Sequence, residues 1–295
     1  MSNLMRYKVW YFVFSLLIIL PGLYFLFTSG LKLGIDFTGG ALLEYSFGKG
    51  INLDELNKQI SSQGIEIGKI ISSENNTYII RTKPLEQDKI NNLKSYLNEK
   101  FGKVTERRVE FVGPVVGSEL RQKAIIAVAL ASIVIVLYIA FSFRKIPKPA
   151  SSWRFGITAV LALAHDILVV VGVFAILGKF LSVEVDTLFV TAILTVIGFS
   201  VHDTIVVFDR IRENLTKHMG KKFIDIANLS VIQTLGRSLN TSLTVVFVLL
   251  SMFLFGGETI RWFVVALLVG IISGTYSSIF NATALLVWWE EKLGH

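Results

Sequence analysis

Apolar residues gather along this chain in six runs, each close to the twenty residues a helix needs to cross a bilayer. They cover 9–27, 124–143, 157–177, 187–208, 238–255 and 262 to about 287. Between the first two runs the pattern changes. Residues 28–123 are the one long hydrophilic stretch, where period-2 alternation predicts strands over 41–47, 65–71, 78–82 and 104–112, and period-3.6 spacing predicts helices over 53–63 and 85–101. Gly64 and the pair Asn75-Asn76 punctuate it, as turns require. The order βαββαβ is the ferredoxin-like plan. The predicted architecture is a polytopic α-helical membrane protein: residues 1–27 as N-terminus and first span, 28–123 as an α+β domain between helices 1 and 2, and 124–295 as the other five spans with a loop over 209–237. In that loop Phe223, Ile226, Ala227, Ser230 and Thr234 recur at helical spacing, which predicts an amphipathic helix lying at the membrane interface. Pro21-Gly22 in the first span predicts a kink.

Charge orients these spans. The net charge of +7 could signal nucleic acid, but its placement points to a membrane instead. Outside the soluble stretch, thirteen basic residues fall on one side: Arg6, Lys8, Arg144, Lys145, Lys148, Arg154, Arg210, Arg212, Lys217, Lys221, Lys222, Arg237 and Lys292. The short loops of the other side hold two, Lys179 and Arg261. The positive-inside rule then places both termini in the cytoplasm and the soluble domain in the periplasm. Trp10, Trp153, Trp262, Trp288 and Trp289 sit at span ends, as an aromatic belt requires. The first apolar run is too long for a signal peptide and no Ala-x-Ala-like site follows, so it reads as an uncleaved anchor.

Composition narrows the chemistry. With no cysteine, disulfides, Cys-ligated zinc and thiol catalysis are excluded. No phosphate-binding Gly-x-x-x-x-Gly-Lys-Ser/Thr occurs, which excludes a P-loop ATPase, and the four histidines show no metal-ligand spacing. No cofactor, metal or nucleic-acid partner is expected. The soluble stretch holds 14 Lys/Arg against 12 Asp/Glu and no His, so a binding or mechanical role is favoured there over an enzymatic one.

The remaining chemistry lies in the spans. An Asp inside a membrane helix costs about 2.5–3.5 kcal/mol on insertion scales, which makes it a functional candidate by default. Asp203 lies toward the end of the fourth span, beside His202. Adjacent helical residues project about 100° apart, so the two need not share a face. His165-Asp166 sits mid-way along the third span, either as a packing pair or as part of a proton path. Arg237 opens the fifth span as a topology anchor or as the partner of a membrane carboxylate; with Asn240 or Thr241 and Thr244 it forms a face directed at protein or water. Desolvation favours a protonated carboxyl and a nearby guanidinium the ionised one, so alternation between the two environments can load and release a proton. Two glycine-rich stretches, 34–40 and 112–120, flank the soluble domain; Gly39, Gly40, Gly113, Pro114 and Gly117 serve there as tight turns or as a hinge. Gly270 and Gly274 form a GxxxG helix-packing pattern in the sixth span.

Together, Gly34-Ile-Asp-Phe-Thr-Gly-Gly40, the segment through Gly117-Ser-Glu-Leu120, Leu163-Ala-His-Asp-Ile-Leu168, the run from Asp203 to Asn214 and Arg237-Ser-Leu-Asn-Thr-Ser242 resemble the SecF family of bacterial protein-export membrane proteins. The resemblance covers most of the chain in order. It implies half of an RND-like transporter fold in the inner membrane, paired with SecD and assisting the SecYEG channel and its SecA motor. It also implies that proton motive force is coupled to the release of translocating, unfolded polypeptide, with Asp203 and Arg237 matching the family's functional aspartate and arginine. His202 and Phe199 stand where the family pattern has Asn and Tyr. Competing readings are half of a small-molecule efflux transporter, which would carry two six-span halves, and an intramembrane aspartyl protease using Asp166 and Asp203, which would need a Gly-x-Gly-Asp that Phe199-Ser-Val-His-Asp203 does not provide.

Overall fold

The computed structural model describes residues 4–73, 75–144, 146–147 and 150–292. Lys145, Lys148 and Pro149 of the predicted basic loop lie outside the described residues. The chain divides into two compact units, Leu33–Ile125 and Met1–Lys32 with Ile126–His295.

In the membrane unit α1 covers Lys8–Ser29, after a 3-10 turn at Leu4–Tyr7. The soluble unit follows with α2 (Ile35–Thr38), β1 (Gly40–Phe47), α3 (Leu53–Ser61), β2 (Ile67–Ser72), β3 (Thr77–Thr82), α4 (Gln87–Phe101), β4 (Val104–Val112) and the start of α5 (Pro114–Ser142). Its sheet runs β2-β3-β1-β4, antiparallel throughout, which is the split βαββαβ arrangement. Alternate residues of β1 explain its stability. Ala41, Leu43, Tyr45 and Phe47 point one way into a core completed by Leu56 and Ile60 of α3 and Ile90, Leu93, Leu97 and Phe101 of α4. Asn52 caps α3 by accepting from the Asp54 amide at 2.8 Å. The Tyr78 hydroxyl both donates to Ile51 O and accepts from Ile51 N, each at 2.7 Å. The Tyr45 hydroxyl has no partner in this core, and burial, then the charge of Glu106, pushes its pKa up to about 12.

The membrane unit continues with α6 (Ser152–Leu181), α7 (Thr187–Lys217), α8 (Phe223–Phe255), α9 (Glu258–Tyr276), a π-helical turn at Ser277–Asn281 and α10 (Ala282–Lys292). Among the described residues, six helical stretches are long and apolar enough to span a membrane, the last made of α9, the π turn and α10 together.

Three expectations change. The segment over 223–237 is not a separate helix on the membrane surface. It forms the first turns of the 33-residue α8, and Phe223, Ile226, Ala227, Ser230 and Thr234 are buried with Ser230 bonded to Asn214 of α7 at 2.8 Å. The predicted 209–237 loop is thus a helical hairpin closed by 218–222. At about 1.5 Å per residue α7 and α8 are each longer than the roughly 30 Å apolar layer of a bilayer. Gly22 has a packing role: Pro21 lies within a continuous helix, and a Cβ on Gly22 would lie 2.7 Å from the Cα of Gly172 on α6. Finally, the sixth span is interrupted by the π turn, where one extra residue redirects the side chains that follow.

Candidate functional site

Asp203 is 1% exposed on the face of α7 that meets α8. Its carboxylate accepts from the Ser242 hydroxyl at 3.4 Å, and Nδ1 of His202 lies 3.5 Å away. Both contacts are long for charge-assisted bonds. Ser242 is shared with Thr275 of α9 at 2.6 Å. Ser238, one turn earlier on α8, has a buried hydroxyl that faces Asp203 without closing to a hydrogen bond among the described residues. The carboxylate is therefore removed from solvent without being saturated by donors, at a junction of α7, α8 and α9. Its neighbour diverges as helical geometry requires: the His202 side chain is 65% exposed.

Asp166, fully buried on α6, is held differently. Oδ2 accepts from Ser200 of α7 at 2.5 Å and Ser277 of the π turn at 2.7 Å. Oδ1 accepts from Ser273 of α9 at 3.1 Å and faces Nδ1 of His165 at 3.0 Å. Four donors use the carboxylate's acceptor capacity. On the far side of the ring, Nε2 of His165 lies 3.3 Å from the Asn281 amide nitrogen, which donates to Ser15 of α1 at 2.6 Å. A second set of bonds stitches α7 to the π turn: Thr204 donates to Ser278 at 2.8 Å, and Ser278 to Ser200 O at 2.9 Å.

The packing glycines let these polar groups meet. A Cβ on Gly270 would lie 2.2 Å from Val196 Cγ2 and one on Gly274 3.1 Å from Ser200 Cβ, so the glycine face of α9 packs directly onto Val196 and Ser200 of α7. That approach brings Ser273 and Ser277 to Asp166.

Arg237 is not brought to Asp203. Its side chain is exposed, with no ion pair to Asp203 among the described residues, because Ser238 and Ser242 occupy the inner face of α8. Asn240, Thr241 and Thr244 share its exposure. In the soluble unit, Gly39 and Gly40 have φ of 74° and 143°. A Cβ on Gly39 would lie 3.0 Å from Pro114 Cα, one on Gly40 2.6 Å from Thr82 O, and one on Gly117 2.8 Å from Gly39 N. The α2 turn is thus seated backbone against backbone on the first turn of α5, while Gly113 has open space beside it. Sequence reasoning missed Ser15, Ser200, Ser238, Ser242, Ser273, Ser277, Ser278 and Asn281 as members of the buried network. Small hydroxyls in apolar runs were the available signal.

Comparison with known proteins agrees with this architecture. The family described as Protein export membrane protein SecD/SecF, C-terminal, matches residues 92–292, and the SecD/SecF GG motif matches residues 24–53. The chain is similar to the protein translocase subunit SecF of Thermobaculum terrenum, with 48% identity over 99% of this chain and 95% of that protein. It is likewise similar to SecF of Vibrio alginolyticus, with 40% identity over 98% of this chain and 89% of that one. Protein translocase subunit SecDF of Bacillus subtilis is 36% identical over 97% of this chain, which spans only 38% of that longer protein. The crystal structure of SecDF from Thermus thermophilus, a translocon-associated membrane protein, superposes with a TM-score of 0.86 at 33% identity, over 98% of this chain and 39% of the SecDF chain. By the extent of the family match and the identity along nearly its whole length, the chain belongs to the SecD/SecF family of protein-export membrane proteins, on its SecF side.

Proposed function

We propose that the chain is an accessory subunit of the Sec export machinery which, paired with SecD, uses the proton motive force to promote late translocation and release of polypeptide across the inner membrane. The family is one of export accessory proteins rather than enzymes. The observation that carries the coupling step is Asp203: a carboxylate 1% exposed in a membrane helix, with the Ser242 hydroxyl and the His202 imidazole no closer than 3.4 and 3.5 Å and the Ser238 hydroxyl facing it outside a hydrogen bond. A site so poor in donors accommodates the neutral acid as well as the anion. One elementary charge crossing about 100 mV is worth roughly 2.3 kcal/mol, enough to bias a conformational cycle in the soluble domain.

The pairing rests on the SecDF relatives, of which this chain spans 38–39%, and on polar groups left on the outer face of the spans. His202, Arg237, Asn240, Thr241 and Thr244 are exposed in this chain. Such groups are costly against lipid, so a SecD helix is their natural cover and Arg237 faces that partner. The SecYEG channel with its SecA motor and an unfolded polypeptide are the further partners, with both termini in the cytoplasm.

Inverted membrane vesicles carrying SecD and this chain provide the test. Asp203→Asn is expected to remove the gradient-stimulated part of export while SecD still co-purifies. Full stimulation by the gradient in that variant would overturn the coupling role.

A further inference from the structure

The contacts around His165 set one polar partner against each ring nitrogen. Nδ1 faces Asp166 Oδ1 at 3.0 Å; that carboxylate takes its other bonds from serine hydroxyls, so the ring donates from Nδ1. Nε2 faces the Asn281 amide nitrogen at 3.3 Å, which can only donate, so Nε2 is the acceptor. The neutral tautomer that matches both contacts is Nδ1–H. The Asn281 nitrogen uses its second hydrogen on Ser15 Oγ at 2.6 Å. Its oxygen, Oδ1, is buried and accepts no bond from the described residues. A buried amide that leaves its acceptor unused beside an imidazole is an exception to ordinary polar satisfaction and calls for an explanation.

We infer that Asn281 is a positioning residue for proton uptake at His165: its amide holds the neutral ring through Nδ2, and turns over by half a rotation to accept from Nε2–H through Oδ1 once the ring takes a second proton. The same rotation reverses the bond to α1, since Ser15 then donates to Oδ1 instead of accepting from Nδ2. The proton adds to the Nε2 lone pair, and Asp166 on the other side balances the imidazolium charge. Protonation on α6 is thereby read by the π turn and by α1, two elements that Asp203 does not touch. Other titratable groups on the elements packed against α6 have partners of their own. Asp203 on α7 bonds toward α8. Tyr11 and Tyr276 donate to Leu4 O and Tyr11 O. Glu290 and Glu291 of α10 pair with Arg154 and Lys8.

This inference rests on the proton-coupling reading for its physiological role, yet its test does not involve export. The full chain in lipid bilayers, with nitrogen-15 histidine, gives the protonation state of each ring nitrogen by solid-state magnetic resonance, and His165→Gln identifies the relevant signals. The expected result is a neutral ring protonated at Nδ1 near pH 8. On acidification to about pH 5.5 a doubly protonated ring appears, its population at least threefold lower in Asn281→Leu and undiminished in Asn281→Asp. A neutral ring protonated at Nε2, a ring that stays neutral on acidification, or an equal charged population in Asn281→Leu would each overturn the inference while leaving Asp203 untouched. Conversely, full gradient stimulation in Asp203→Asn would remove the coupling at Asp203 and leave the ring's tautomer standing. Should Asn281→Leu fail to fold, the tautomer of the unaltered chain still decides.

Discussion

Two aspartates in neighbouring helices carry the same side chain under opposite conditions. Asp166 collects partners from α6, α7, α9 and the π turn, whereas Asp203 has the Ser242 hydroxyl and one imidazole at longer range, with Ser238 facing it outside a hydrogen bond. Removing an acceptor from several buried donors costs about 1–3 kcal/mol for each one left unsatisfied. Asp166→Leu is therefore expected to lower the thermal unfolding midpoint of the detergent-solubilised chain much more than Asp203→Leu, and equal shifts would contradict the distinction. Both carboxylates were legible as acids inside apolar spans, Asp166 mid-way and Asp203 toward an end. Their difference was not, because the donors come from helices far apart in sequence and a lone Ser in an apolar run carries no directional information. Tyr45 shows the same principle in the soluble unit. Its hydroxyl is buried without a partner, so Tyr45→Phe should remove a desolvation cost and stabilise the unit by about 1 kcal/mol, measured as roughly fivefold stronger hydrogen-exchange protection of β1 amides. The folded chain also binds the phenolic proton more tightly than the unfolded one, with a pKa up to about 12 against 10.0. The unfolded state thus loses its proton first as pH rises, and β1 protection should fall between about pH 10 and 12, less so in Tyr45→Phe.

At the level of elements, close helix crossings bring the hydroxyls to the carboxylates. The GxxxG pattern at Gly270 and Gly274 was readable as packing, but its partner was not; α7 supplies Val196 and Ser200 at the same spacing. Gly270→Ala would place a methyl into the Val196 side chain, and overpacking of this kind costs about 1–3 kcal/mol. Val196→Ala should restore most of that loss, since it removes the atoms met at 2.2 and 2.7 Å. Gly172→Ala meets the Gly22 backbone instead, so no such rescue is available to it. A double-mutant cycle on thermal stability checks both statements. The amphipathic spacing over 223–237 was real but ambiguous, since a helix on a membrane surface and one packed along α7 bury the same period. The π turn left no trace in the periodicity, because its effect is to shift the register of polar residues after Tyr276 rather than to interrupt an apolar run.

For the whole molecule the decisive feature is what the chain leaves uncovered. The ferredoxin-like plan and six spans followed from periodicity and run length alone. Which faces meet lipid did not, because hydropathy is blind to the direction of a side chain. Along the outer face of α8, Arg237, Asn240, Thr241 and Thr244 are exposed, while on α5 the exposed residues Ile126, Leu130, Ile133, Val134 and Leu137 are apolar. Lipid satisfies the second surface and not the first. The chain has no cysteine, so single cysteines can separate the two without removing any native thiol. Asn240→Cys and Thr244→Cys are expected to cross-link to a scan of cysteines along the spans of SecD in native membranes, and Val134→Cys is not. Polar contacts of this kind hold helices together at about 0.6–2 kcal/mol each, so Arg237→Leu should weaken recovery of SecD in mild detergent without loss of the folded chain. Equal cross-linking from α5 and α8, or from neither, would mean that the polar face of α8 is met by water and not by a partner helix.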